Sequence, residues 1–365
     1  MALSELKQPV TVLVHTRFAA FKWGQSIVDH FYRLAPKYGF RINIVNDWQS
    51  VDKTIDPIVI LSADGVWIDE CLKHLENNRI VLMSDMVDVK GRNTFHISSD
   101  QETLIYEGLS HLQQKGFKST AFFGVQKNDI SDQRKADAFT RIVSREHIYN
   151  IEDDINKACE LFLKNVLNYD SVICANDIIA AYLLSKCRQK GIDVPNNLAI
   201  MGNGNLWISA HTSPPLTTAM SDYETTVAVA LQTCQIIVRY PNIASLDIRL
   251  KIKLICREST DITGESKNPC KYIPTYMGKF MGDDTENSKE LLHIQQIDRV
   301  LSALSSEEQR MISMLVNGAK YSEIAEQIHL SEDSIKYHIK KVYKSLNIHR
   351  KNEVINLFYI YGITL

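Results

Sequence analysis

Short apolar runs alternate with amphipathic stretches through the first 260 residues. Val10–His15 (VTVLVH), Arg41–Val45, Pro57–Leu61, Arg79–Met83, Thr120–Gly124, Ser171–Ala175 and Leu198–Met201 read as buried strands. Between them, Gln25–Tyr38, Trp67–Asn77, Gln101–Lys115, Ile155–Val166 and Ile178–Lys190 carry helical periodicity, the last followed by Gly191 as a stop signal. Strands that alternate with helices predict an α/β fold whose parallel sheet is covered on both faces. The run is long for one sheet, so two lobes are expected. Ligands in such folds bind beyond the carboxyl ends of strands, which places a crevice between the lobes.

The pattern changes in the last fifth. Ser322–Leu346 (SEIAEQIHLSEDSIKYHIKKVYKSL) reads as two short helices joined by a tight turn. At about 100° per residue, Ile335, Ile339, Val342 and Leu346 share one stripe, with Lys336, Tyr337, Lys340, Lys341 and Lys344 opposite. Ser331 is placed to cap the second helix, and Glu332 and Asp333 suit the positive end of its dipole. Residues 336–351 contain six Lys or Arg and no acid, whereas the whole chain carries a net charge of −2. Localised positive charge on one helix face is the arrangement that meets DNA phosphates. A solvated surface helix is the plain alternative.

Leu304-Ser305, Glu308, Gly318, Glu323-Ile324-Ala325, Leu330-Ser331, Ser334-Ile335-Lys336-x-His338 and Leu346 resemble the LuxR-type helix-turn-helix, a four-helix DNA-binding module, over about residues 300–365. The resemblance implies a recognition helix at 333–346 that enters the major groove. Lys336 would then contact backbone or base edges, Tyr337 and Lys340 the groove, and His338 the protein–DNA boundary, with Ser334, Lys341 and Lys344 beside them. Glu307, Ser345 and Lys351 depart from the family's usual Arg, Lys and Arg.

A second resemblance lies upstream. CANDIIAAYLLSKCRQKGIDVPNNLAIMGNGN, then Pro214-Pro215-Leu216-Thr217-Thr218, is similar to the sensor domain of LacI/GalR-type regulators, which share the two-lobed periplasmic-binding-protein fold (type I). Asp100, His111-Leu112-x-x-x-Gly116-Phe117, Arg134-x-x-x-Ala138-Phe139 and Cys256-Arg257-Glu258-Ser259-Thr260 extend it over residues 8–260. The resemblance makes Arg134 a bidentate grip on ligand hydroxyls. Asn176 and Asp177, directly after a strand, could pair with sugar hydroxyls. Gly204 and Asn205 replace the usual paired acids, with Asn205 the remaining polar candidate. Phe18, Phe21 and Trp23 could stack on a ligand or pack between the lobes. The family's N-terminal DNA-binding headpiece is not found ahead of the sensor, so DNA binding is expected at the opposite end.

Residues 261–290 read as a linker, with Tyr272, Ile273, Tyr276, Met277 and Phe280 able to pack on the sensor, and 291–365 as the DNA-binding domain. Leu291, Leu292, Ile294, Ile297, Val300 and Leu301 give the connecting helix a face to bury. With 45% hydrophobic and 23% charged residues over 365 positions, the composition is that of globular domains. The N-terminus shows no export signal and no apolar run approaches membrane-spanning length, so a cytoplasmic protein is expected. The cysteines (71, 159, 174, 187, 234, 256, 270) are scattered without a CxxC pair, which suggests buried, reduced thiols. No P-loop, dinucleotide fingerprint or metal-ligand spacing occurs, and no catalytic, metal-binding or cofactor site is predicted. His15-Thr16-Arg17 follows the first strand, where a phospho-acceptor receiver would need an acidic pair.

These signs predict a homodimeric, ligand-responsive transcription regulator whose partners are double-stranded DNA and a small effector. Effector-driven lobe closure would reposition the connector around residues 287–303. The alternatives are a DNA-binding protein that uses its sensor fold only to dimerise, and a protein-interaction module.

Overall fold

The computed structural model describes residues 8–19, 22–87, 91, 93–152, 154–262 and 289–365. The linker predicted at 261–290, with its aromatic residues, therefore lies almost wholly outside the described residues, as do Phe21 and the side chain of Trp23.

The first lobe contains β1 (Gln8–Val14), α1 (Thr16–Ala19), α2 (Lys22–Leu34), β2 (Phe40–Val45), β3 (Ile58–Leu61), α3 (Gly65–His74), β4 (Ile80–Met83) and β5 (Thr94–Ser99). The chain then crosses into the second lobe as α4 (Gln101–Gln114), β6 (Thr120–Gln126), α5 (Ile130–Thr140), β7 (Ile148–Ile151), α6 (Ile155–Lys164), β8 (Ser171–Cys174), α7 (Asp177–Gln189), β9 (Ala199–Met201), α8 (Trp207–His211) and β10 (Thr218–Met220). It returns to the first lobe as α9 (Tyr223–Arg239) and β11 (Ser245–Leu250), and crosses again to β12 (Lys253–Ile255). Three crossovers, at Asp100, near Ser221 and near Ile252, thus join the lobes.

The first sheet has the order β11-β5-β4-β3-β1-β2 and the second β7-β6-β8-β9, with parallel pairing throughout both. β1, β3 and β4 are buried on both faces, which is why they read as continuous apolar runs. β5 (TFHISS) is equally buried but polar in composition, and gave no strand signal. Inside it, His96 is held by the Ser84 carbonyl at 2.7 Å. β11 is an edge strand with an alternating exposure pattern. Phe18 is fully buried in the first lobe's own core, which is neither of the two roles expected for it, ligand stacking or packing between the lobes. Gly124 bends β6 with φ +91; a Cβ there would lie 2.5 Å from Ile179 Cγ2, so α7 packs close only because the position is glycine.

Among the described residues, five α-helices follow: α10 (Lys289–Ser302), α11 (Ser306–Val316), α12 (Tyr321–Ile328), α13 (Glu332–Leu346) and α14 (Lys351–Tyr361). Their core is continuous with that of the second lobe, while the first lobe has cores of its own. α10 lies between α7 and α8 on one side and α13 on the other. Leu291, Ile294, Ile297 and Leu301 are fully buried and Val300 nearly so, but Leu292 points away and is 50% exposed. Each fully buried aliphatic chain here is worth roughly 1.5–3 kcal/mol.

Among the described residues, five cysteines are buried, at 71, 159, 174, 187 and 234, but Cys256 is exposed, contrary to the expectation of buried thiols, and Cys270 lies outside the described residues. Cys256 follows the last residue of β12, and the chain turns into the core at the next residue, Arg257. Among the described residues, no helix is long and apolar enough to cross a membrane, and no group of three His, Cys, Asp or Glu side chains could hold a metal ion.

Candidate nucleic-acid interface and interlobe cleft

The turn between α12 and α13 spans residues 329–331. His329 adopts the left-handed region (φ 59), and the Leu330 N–H donates to the Ala325 carbonyl at 3.1 Å, closing the end of α12. Ser331 then starts α13 by accepting the Ser334 N–H at 3.2 Å. Ile335, Ile339, Val342 and Leu346 are buried as one stripe, joined by Tyr343. Tyr337 is 68% exposed, and Lys340, Lys341 and Lys344 are exposed beside it.

The cations are not equivalent. Lys336 pairs with Glu332 at 2.8 Å and lies 3.7 Å from Asp333, and the Glu332 hydrogen bond raises its pKa. Lys341 lies 3.9 Å from Glu308. Lys340 and Lys344 form no ion pair among the described residues. Lys351 donates to the Ala319 carbonyl at 2.9 Å, tying α14 to the turn before α12.

Glu308 organises this face. One oxygen accepts the Ser305 N–H at 3.1 Å, completing a capping box on α11; the other meets His338 Nδ1 at 3.1 Å. Partial burial raises its pKa, but the bonds from Ser305 and His338 and the Lys341 charge outweigh burial and leave it lowered. His338 is therefore anchored to α11, while Ser334 is half-buried at the helix start.

In the second lobe, the structure brings Asn176, Asp177 and Asn205 together. Asn176 caps α7 by accepting the Ile179 N–H at 3.0 Å. Asp177 is fully buried: Leu206 N–H donates to one oxygen at 2.7 Å and the Thr218 hydroxyl to the other at 2.6 Å. Burial pushes its carboxyl up to about 6 against those bonds. Asn205, left-handed at φ 47, accepts from Arg257 Nη2 at 2.6 Å, and Arg257 also reaches Ser209 and the Leu216 carbonyl. Both Asp177 and Asn205 thus spend oxygens within the lobe.

Arg134 stands apart from that trio, half-buried on α5. Its neighbour Lys135 fixes α5 to the end of β8 by donating to the Ala175 carbonyl at 2.7 Å, and is paired within α5 to the buried Asp132 at 2.8 Å. Across the lobes lies Asp85, a buried acid that sequence reasoning missed. It accepts the Ser99 N–H at 2.6 Å and Gln101 Nε2 at 3.3 Å, at the first crossover. Burial raises its pKa, opposed by the Ser99 bonds and the Arg134 and His96 charges. The signal was available: Asp85 follows the apolar run IVLM just as Asn176 and Asp177 follow SVICA.

Comparison with known proteins agrees with both halves. The model of a periplasmic binding protein-like domain matches residues 109–260, and that of bacterial regulatory proteins of the luxR family matches residues 302–358. The HTH-type transcriptional repressor PurR of Aliivibrio salmonicida is 27% identical over 180 residues, covering 46% of this chain and 53% of that protein. The xylose operon regulatory protein of Haemophilus influenzae is 29% identical over 171 residues, covering 41% of this chain and 44% of that protein. The chain thus spans about half the length of the curated relatives it matches. A solved complex of the transcriptional regulator CelR with cellobiose shares the fold, with a TM-score of 0.54 at 14% identity over 69% of this chain and 84% of that one. The chain joins an α/β fold like that of LacI-type regulators to a C-terminal helical unit that matches the luxR family of bacterial regulatory proteins.

Proposed function

We propose that this chain is a transcription regulator whose sensor, residues 8–260, answers a small polyhydroxylated effector and whose C-terminal unit, residues 291–365, reads DNA as a homodimer in the cytoplasm. The observation that carries the reading is the division of α13. A wholly buried aliphatic stripe fixes the helix, and Tyr337, Lys340, Lys341 and Lys344 are left on the solvent face. Positive charge fixed on a rigid helix supplies phosphate contacts, and an aromatic ring amid it suits a groove wall. Lys336, Ser334 and His338 flank that face and support it.

Support for an effector comes from Arg134 and Asp85, a guanidinium on the second lobe and a carboxylate on the first, where the Arg134 charge favours the ionised acid. Bidentate donors facing a fixed acceptor suit vicinal hydroxyls. The xylose and cellobiose in the relatives' names point the same way. One observation favours a second reading, an effector-independent protein: the oxygens of Asp177 and Asn205 are engaged internally.

The test is selection of genomic fragments by the purified full-length chain, beside a Lys340→Ala/Lys344→Ala control. Two-fold-symmetric sites with half-sites roughly 34 Å apart, lost in the control, are expected. No enrichment over the control overturns the reading. Calorimetric titration with pentoses and disaccharides then separates the effector-responsive protein from the effector-independent one.

A further inference from the structure

α7 is apolar around nearly its whole circumference: of its ten buried residues, from Asp177 to Cys187, all but Asp177 and Ser185 are apolar. A helix of that kind needs cover on more than its sheet-facing side. α10 and α14 provide it, inside the core shared with the second lobe. Arg188 strengthens the joint by donating to the Tyr359 and Ser213 carbonyls, and Lys186 pairs with Glu290 at 3.0 Å. Gly362 (φ +59) packs against the Arg188 guanidinium where a Cβ has no room. The second lobe and the DNA-binding helices therefore form one body, to which the first lobe is joined by the crossovers. Lobe closure carries α10 along with the second lobe and does not by itself move α13 relative to it.

A signal from an effector must then run inside the second lobe, and one segment touches both the candidate effector residue Asp177 and α10. Just before it, Asn205 is bonded to Arg257, and at its start the Leu206 N–H donates to Asp177. At its middle, the Ile208 N–H donates to Asp298 of α10 at 2.8 Å. At its end, the His211 carbonyl accepts the Thr364 N–H at 2.8 Å and Thr212 bridges to Ile363. We propose that residues 206–212 are the relay between cleft and recognition helix, with Asp298 as the positioning residue that couples the relay to α10. This rests on the ligand-responsive reading above.

The test uses linkage: if the cleft segment biases DNA binding, DNA binding biases the cleft segment equally. Hydrogen exchange is followed on the full chain with and without a duplex it has selected. Exchange at residues 203–212 is expected to change by at least about fivefold, the lower end of ordinary coupling. Asp298→Ala should remove that change while the duplex stays bound, and Asp298→Asn, whose amide oxygen still accepts the Ile208 N–H, should keep it. Unchanged exchange at 203–212 in the unmodified chain overturns the proposal, as does a full change in Asp298→Ala. A response confined to the first lobe's strand ends, 62–67 and 84–87, also overturns it and restores lobe closure as the route. Failure to retain any duplex overturns the regulator reading, and the relay with it.

Discussion

Removing Lys340 and Lys344 should change the salt dependence of DNA binding more than removing Lys336. Each phosphate neutralised by a cation contributes about 0.9 to the slope of log K against log salt. Lys340 and Lys344 are exposed and carry no ion pair among the described residues, so each can release a full counterion. Lys336 is already compensated by Glu332 at 2.8 Å and Asp333 at 3.7 Å, and to reach a phosphate it must leave them. Lys340→Ala/Lys344→Ala should thus lower the slope by about 1.8. Over the fourfold span from 50 to 200 mM salt, the affinity loss should shrink by about 12-fold, since four raised to 1.8 is about 12. Lys336→Ala alone should lower the slope by well under 0.9, and Glu332→Gln should raise it. The assay is fluorescence anisotropy of a labelled duplex at four or more salt concentrations. A slope unchanged in the double variant refutes the assignment of this face to DNA. A full 0.9 loss in Lys336→Ala refutes the argument that its acids withdraw it.

Ile297→Ala should destabilise the chain by about 2–5 kcal/mol in urea unfolding, since it opens a cavity in the core that α10 shares with the second lobe; a loss under 1 kcal/mol would mean that Ile297 is not packed in that core. Burial pushes the Asp298 carboxyl up to about 7, with the Ile208 N–H opposing and Asp177 adding to the rise. Because the folded pKa exceeds the unfolded value, this contribution is complete below about pH 4 and is lost as pH rises through 7. The folded state should therefore lose on the order of 3 kcal/mol between pH 5 and 8, and Asp298→Asn should flatten that part of the profile in urea melts. Equal slopes in both proteins would contradict this. Arg134→Lys, which keeps the charge but loses the fork, should weaken an effector found by calorimetry by roughly tenfold or more, and an unchanged Kd would remove Arg134 from the site. Glu308→Ala should lower duplex affinity although it deletes a negative charge, because His338 and the start of α11 lose their common anchor; tighter binding would show that Glu308 acts only by repelling phosphate.

Local pattern was enough for much of this molecule. The buried parallel strands β1, β3, β4 and β8 are apolar on both faces, so their composition alone marks them. The stripe of α13 and its Ser331 cap follow from helical geometry within a dozen residues. β5 escaped because its polar residues are buried by partners distant in sequence, β11 and the loop after β4. What the oxygens of the candidate site residues are bonded to was also beyond the sequence. Asn176, Asp177 and Asn205 are marked by position alone, but Leu206, Thr218 and Arg257 determine what their oxygens are free to do. The apolar circumference of α7 announced that something must cover it, without saying what. Only the tertiary structure supplies α10 and α14 as that cover. Burial of an apolar surface carries no address: hydrophobic association is non-directional, and the partner is selected by shape and by the few hydrogen bonds, such as Ile208 to Asp298, that long-range packing allows to form.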